Sequence, residues 1–245
     1  MQMMLSDKTV REIALENPLT TRVFAEYKID FCCGGRIPFA EACENAGVDP
    51  FIVAEKLKPI LDSAVVDDTA AERMGPSELV DHIVDTHHLF TTREIQRLVP
   101  LAEKVASRHG ENHPELLEVR DLFIELAEEL TVHMKKEEMH LFPYITQLDR
   151  AAKAGRMAPM PPFGSVNNPV RMMMFEHDNA GEVLRKLRDL SGDYTAPADS
   201  CPSYKGLYAG LEDFERDLHR HIHLENNVLF PQAIEMEAKT LGVPA

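Results

Sequence analysis

No run of this 245-residue chain approaches the roughly 20 apolar residues a membrane-spanning helix needs, and the opening MQMMLSDKTVREI lacks the apolar core of a signal peptide. Together these absences set the expectation of a cytoplasmic protein with no membrane partner. Basic residues are also scarce. The 26 Lys and Arg against 41 Asp and Glu leave a net charge of -15, which argues against nucleic acid and anionic membrane surfaces as partners. The four cysteines, Cys32, Cys33, Cys43 and Cys201, do not have the even spacing of a secreted disulfide framework, so free or redox-active thiols are expected. Strand-like alternation is missing over any useful length. The expected fold class is therefore all-α, in a chain long enough to bury a core without disulfides or metal holding it together.

Proline and glycine punctuate the first part of the chain into short helices. They are expected at Val10 to Glu16, Leu19 to Tyr27, Phe39 to Ala46 and Phe51 to Leu61, forming a small domain over residues 1–62. Between the second and third lies Asp30-Phe31-Cys32-Cys33-Gly34-Gly35-Arg36. Its glycines permit a tight turn, and Arg36 is placed to lower the pKa of a nearby thiol; buried structural cysteines are the competing reading. Residues 63–75 suit a linker. In 76–245 four long helical patterns follow, at about 76–108 with Ser77 as N-cap, 113–148, 170–190 and 203–239, the last bent near Pro231. The Pro- and Gly-rich stretch between the second and third must be a crossover loop. Four such helices make an antiparallel four-helix bundle, an architecture that builds metal sites from facing side chains.

One template appears twice in those helices. His133 to Pro143 reads HMKKEEMHLFP and His221 to Pro231 reads HIHLENNVLFP: His, three residues, Glu, three residues, Leu-Phe-Pro. Residues four apart share a helix face, so each copy aims an imidazole and a carboxylate at one point. The first and third helices supply matching partners. His88 has Val84, Thr91, Ile95 and Leu98 at the offsets where His177 has Met173, Ala180, Leu184 and Leu187. The bundle thus reads as two duplicated hairpins, His88 to Glu137 and His177 to Glu225. Four His and two Glu are too many for one tetrahedral zinc and suit two metals, iron or manganese, with the carboxylates shared and positions open to small ligands. Two Glu on apolar stripes would be costly unless paired. Glu176, beside His177, is a candidate proton relay or alternative ligand. His87 falls about 100 degrees off the stripe of His88, Glu138 is expected to be solvated, and His219 and His223 are expected to point away from His221. His82, His109, His113 and His140 read as surface, loop or bundle-end residues, and Met172, Met173 and Met174 as core packing.

These residues resemble the hemerythrin-like di-iron family. With the Cys-Cys-Gly-Gly segment ahead of the bundle, the chain resembles the Ric proteins, for repair of iron centres. The resemblance implies a hemerythrin-like antiparallel four-helix bundle preceded by a small helical domain. It implies two non-haem iron ions, oxo- and carboxylate-bridged, with His88, His133, His177 and His221 terminal and Glu137 and Glu225 bridging. It also implies a stress-response role in restoring iron-sulfur clusters damaged by nitric oxide or oxidants, with Cys32 and Cys33 working together with the di-iron domain. Partners would be iron-sulfur proteins as clients and nitric oxide or dioxygen as ligand, and a homodimer stays open. Oxygen-carrying hemerythrins have five terminal histidines, whereas this chain matches four. Iron donation, reduction of nitric oxide to nitrous oxide, and gas binding or sensing without repair are the readings to be separated.

Overall fold

The computed structural model describes residues 8–17, 20–31, 35–61 and 70–241. Four short helices make the N-terminal unit: α1 (Val10–Glu16), α2 (Thr20–Glu26), α3 (Phe39–Asn45) and α4 (Pro50–Leu61). Thr9 starts α1 with a capping box: its Oγ1 accepts the Glu12 N–H at 3.2 Å, and Glu12 Oε2 accepts the Thr9 N–H at 2.7 Å. Two helix-end donors are thereby satisfied at once. The apolar faces close over Phe24, Phe31, Phe39 and Leu57, all buried. Of the expected linker, residues 70–75 are described. There Ala71–Arg73 forms a 3-10 turn, and Glu72 pairs with Arg220 of the last helix.

Four long helices follow. Helix α5 runs through Pro76–His82, a π-helical stretch Ile83–His88, and Leu89–His109. Helix α6 runs through Glu115–Lys136, the π turn Glu137–Leu141, and Phe142–Lys153, beyond the expected end at Leu148. Helix α7 is Asn167–Leu190, and α8 runs through Pro202–Leu224, the π turn Glu225–Leu229, and Phe230–Leu241. Gly75 rather than Ser77 caps α5. Its N–H is taken by Glu78 Oε2 at 3.1 Å, Pro76 fills the first helical position, and Ser77 Oγ instead hydrogen-bonds Asp149 of α6. Helix α5 packs along α6 and α8, and α6 along α7. No strand occurs among the described residues, and none of their helices is long and apolar enough to cross a membrane.

The bundle interior is apolar in two tiers. One is built around Leu98, Phe123, Leu126, Phe214 and Leu218 and is continuous with the N-terminal core; the other is built around Leu79, Ile83, Phe142, Ile145, Val170 and Phe230. On every long helix the histidine lies between residues of the two tiers.

Candidate metal centre

The six expected ligands meet in that gap, and none is more than 3% exposed. His88, Glu137, His221 and Glu225 each place a ligand atom within 4.8 Å of the others, and so do His133, Glu137, His177 and Glu225. Both groups use both carboxylates. Glu137 Oε2 lies 3.4 Å from His88 Nε2 and 3.3 Å from His133 Nε2, while Glu225 reaches His221 Nε2 through Oε1 at 2.9 Å and His177 Nε2 through Oε2 at 3.1 Å. The Nε2 atoms of His88 and His221 are 3.2 Å apart, and those of His133 and His177 are 3.0 Å apart. Two imidazole nitrogens about 2.1 Å from one metal and at right angles to each other stand about 3.0 Å apart, so both pairs have the spacing of neighbouring ligands on a shared ion.

The buried atoms fit a metal for a second reason. Both oxygens of Glu137 and Oε2 of Glu225 are buried without a hydrogen bond, an arrangement that costs several kcal/mol unless a cation faces them. Burial pushes both carboxyls toward the neutral form, and at Glu137 the Glu225 charge adds to it, yet the histidines around them prevail: Glu137 is held below its ordinary pKa and Glu225 well below it. Burial likewise opposes charge on His133, but Glu137 and Glu176 overcome it and raise the ring to about 10. At His221 burial prevails over Glu225 and holds the ring below its ordinary pKa, so His133 and His221 differ in their preference for charge. Imidazole and carboxylate ligands with no thiolate suit iron or manganese.

Local helix geometry aims these groups. Glu137 and Glu225 each open a π turn, in which the Phe142 N–H reaches back to the Glu137 carbonyl and the Phe230 N–H to the Glu225 carbonyl. The next residue in each case is Pro, which has no N–H and excludes an α-helical bond from the carbonyl four residues back. His88 closes the π stretch of α5. Such wide turns are rare and concentrate at functional sites. The Leu-Phe-Pro that ends each sequence copy is thus part of the device that turns the glutamates inward.

Behind the histidines lies a second layer of partners, of which the sequence singled out only Glu176. His88 Nδ1 bonds Glu138 at 2.7 Å, His133 Nδ1 bonds Glu176 at 2.8 Å, and His177 Nδ1 bonds Asn226 Oδ1 at 2.9 Å. Glu138 and Asn226 each follow a bridging-position glutamate, so the duplication itself was the signal that could have found them. Glu176 precedes His177 as His87 precedes His88. His87 is buried, not displaced to the outside: its ring lies 5.8 Å from that of His221 at an interplanar angle of 9°, and its Nδ1 bonds Asp217 at 3.0 Å. The bond to His133 holds the Glu176 carboxyl down at about 2, with Lys136 assisting.

The comparisons with known proteins agree with this geometry. The profile described as the hemerythrin HHE cation binding domain matches residues 79–233. The chain belongs to the hemerythrin HHE family. A second profile, ScdA_N, described as a domain of unknown function, matches residues 6–60. The chain is 34% identical over 233 residues to a probable iron-sulfur cluster repair protein of Haemophilus influenzae, covering 95% of this chain and 99% of that one. It is 30% identical over 228 residues to the iron-sulfur cluster repair protein ScdA of Staphylococcus haemolyticus, covering 93% and 98%. The iron-sulfur cluster repair protein YtfE of Dickeya chrysanthemi is 32% identical over 231 residues, covering 94% and 98%.

Within this hemerythrin HHE bundle a cavity of about 440 Å³ opens onto His133 and His177 between walls that include Leu130, Met172, Phe175 and Glu176. Of the three methionines read as core, Met173 is buried whereas Met172 is 53% exposed at this cavity. Cys32 and Cys33 lie outside the described residues. Phe31, just before them, is seated on α8: Asn227 Nδ2 donates to its carbonyl at 3.4 Å, and its ring meets those of His219 and His223 edge-on at 6.0 and 5.8 Å. His223 is therefore buried rather than turned to solvent, because the N-terminal unit covers that face of α8.

Proposed function

We propose that this protein repairs damaged iron-sulfur clusters, using a di-iron centre held by His88, His133, His177, His221, Glu137 and Glu225. The observation that carries the reading is the pair of four-residue groups sharing two buried, otherwise unpartnered carboxylates, in a chain that matches named repair proteins over nearly its whole length. Bound there, two carboxylate- and oxo-bridged irons would supply redox chemistry, affinity for nitric oxide or dioxygen, and iron for a client cluster. The residues of the chain do the rest. Four imidazoles and two carboxylates hold the ions, the apolar tiers on either side exclude water, and the cavity beside His133 and His177 admits a small ligand. Glu176, on the cavity wall and bonded to His133, holds a carboxylate where a proton can be handed to solvent. Cys32 and Cys33 relay electrons, nitric oxide or iron to the client, an iron-sulfur protein, in the cytoplasm. The boundaries 1–62, 63–75 and 76–245 give the small dithiol domain, the linker and the metal bundle.

Reactivation of a nitric-oxide-damaged iron-sulfur enzyme, followed with and without the iron-loaded protein, tests the reading. Faster recovery is expected, and equal recovery in the two arms rules out repair. Cys32→Ala and Cys33→Ala should abolish the gain while leaving the iron content unchanged. A gain that survives both substitutions would remove the cysteines from the mechanism. Nitrous oxide released when the reduced protein meets nitric oxide would assign reduction of the gas to the same centre.

A further inference from the structure

The duplicated hairpins predict a matched partner for each outer histidine nitrogen, and the match fails at one place. In the pseudo-twofold arrangement Glu138 and Asn226 occupy equivalent positions behind His88 and His177, and Glu176 and His87 occupy equivalent positions behind His133 and His221. Three of these four accept a bond from the ligand imidazole. The fourth does not: His87 lies flat against His221 and gives its Nδ1 to Asp217, and His221 Nδ1 is buried with no protein partner.

A carboxylate or carbonyl behind a ligand histidine fixes its tautomer and ring orientation and strengthens it as a donor, and loss of one such partner costs about 10–100-fold in metal affinity. The His133 and His177 position has both imidazoles supported, one by a carboxylate and one by an amide. The His88 and His221 position has one, and its support, Glu138, is 44% exposed against 24% for Glu176, so water competes for it more. Lys136 draws on the other oxygen of Glu176 but leaves the oxygen facing His133 committed to the ring.

We propose that the two metal positions are unequal, the His133 and His177 position being tight and the His88 and His221 position weak, so that the iron given to a client is the one held by His88 and His221. The donation clause rests on the repair reading, whereas the inequality of the sites does not.

Equilibrium titration of the full-length apo protein with ferrous iron, in anaerobic competition with a chromophoric chelator, tests this without any client. Two steps of one iron each are expected, separated by about tenfold or more. His87→Glu copies the residue at the equivalent position 176 and places an acceptor behind His221; it should tighten the weak step about tenfold and leave the tight one unchanged. Glu176→Gln, at a partly exposed position, should instead loosen the tight step and bring the two constants together. Equal steps in the wild-type chain, or loosening of the weak step by Glu176→Gln, would overturn the assignment. Finally, protein carrying two irons should yield one to a chelator of intermediate strength, and protein carrying one should yield none. Unequal sites with no reactivation of a damaged cluster would uphold the inequality and reject the repair reading.

Discussion

Each histidine of the cluster has a second ring nitrogen, and what that nitrogen meets was the least legible part of the site. The six clustered His and Glu residues could be read from offsets alone, because four long helices carry apolar stripes in which a His or Glu stands out. Glu138 reads as solvated and is exposed, yet its carboxylate also meets His88; that second contact, and the place of Asn226, could not be read, since a residue one step off a stripe carries no periodic signal. Cysteines show the same division between pattern and surroundings. Nothing in the sequence around Cys43 marks it as inert, yet it is fully buried, and burial with Asp49 nearby pushes its thiol up to about 11 from an ordinary 9.0. Folding therefore favours its neutral form. That contribution is complete below the unfolded pKa and is lost as pH rises through the folded one. The stability difference between wild type and Cys43→Ala, taken from urea midpoints, should hold steady up to about pH 9 and shrink between there and about pH 11. A difference that grew with pH would contradict the buried neutral thiol.

At the scale of the helix, existence and order were legible and local winding was not. Proline, glycine and 3.6-residue periodicity located all four long helices, but a π turn inserts one residue without changing composition. The repeated Leu-Phe-Pro was the trace it left. If Pro231 sustains the wide turn that begins at Glu225, then Pro231→Ala restores a donor and lets the segment close as ordinary α-helix, which removes a penalty of up to about 3 kcal/mol. The carboxylate of Glu225 would then rotate away from His177 and His221. The expected variant is at least as stable as wild type to heat in its apo form, yet binds iron about tenfold more weakly, the scale on which misorientation around a ligand acts. Circular dichroism melts and chelator competition read the two effects separately. Unchanged affinity would show that Glu225 is aimed by packing alone.

At the scale of the whole molecule, the two domains were visible in the sequence but their contact was not, because an interface between domains has no periodicity of its own. His219 and His223 read as pointing away from His221, with no pattern to say what they meet there. Here α1 and the segment ending at Phe31 cover them, with the Arg11 guanidinium donating to the Asn227 carbonyl at 3.4 Å and Asn227 in turn holding the Phe31 carbonyl. Three successive residues of one π turn thus serve three partners: Glu225 the His177 and His221 Nε2 atoms, Asn226 the outer nitrogen of the His177 ring, and Asn227 the N-terminal unit. Phe31 is 5% exposed, and truncating a buried aromatic costs about 3–5 kcal/mol. The Phe31 ring meets His219 and His223 rather than forming part of the His and Glu cluster, so Phe31→Ala should raise amide exchange throughout residues 8–61 while leaving the iron content unchanged. If docking serves the reaction, cluster repair should fall with iron content unchanged; repair undiminished by an undocked N-terminal domain would mean that the thiols reach their client without being seated on α8.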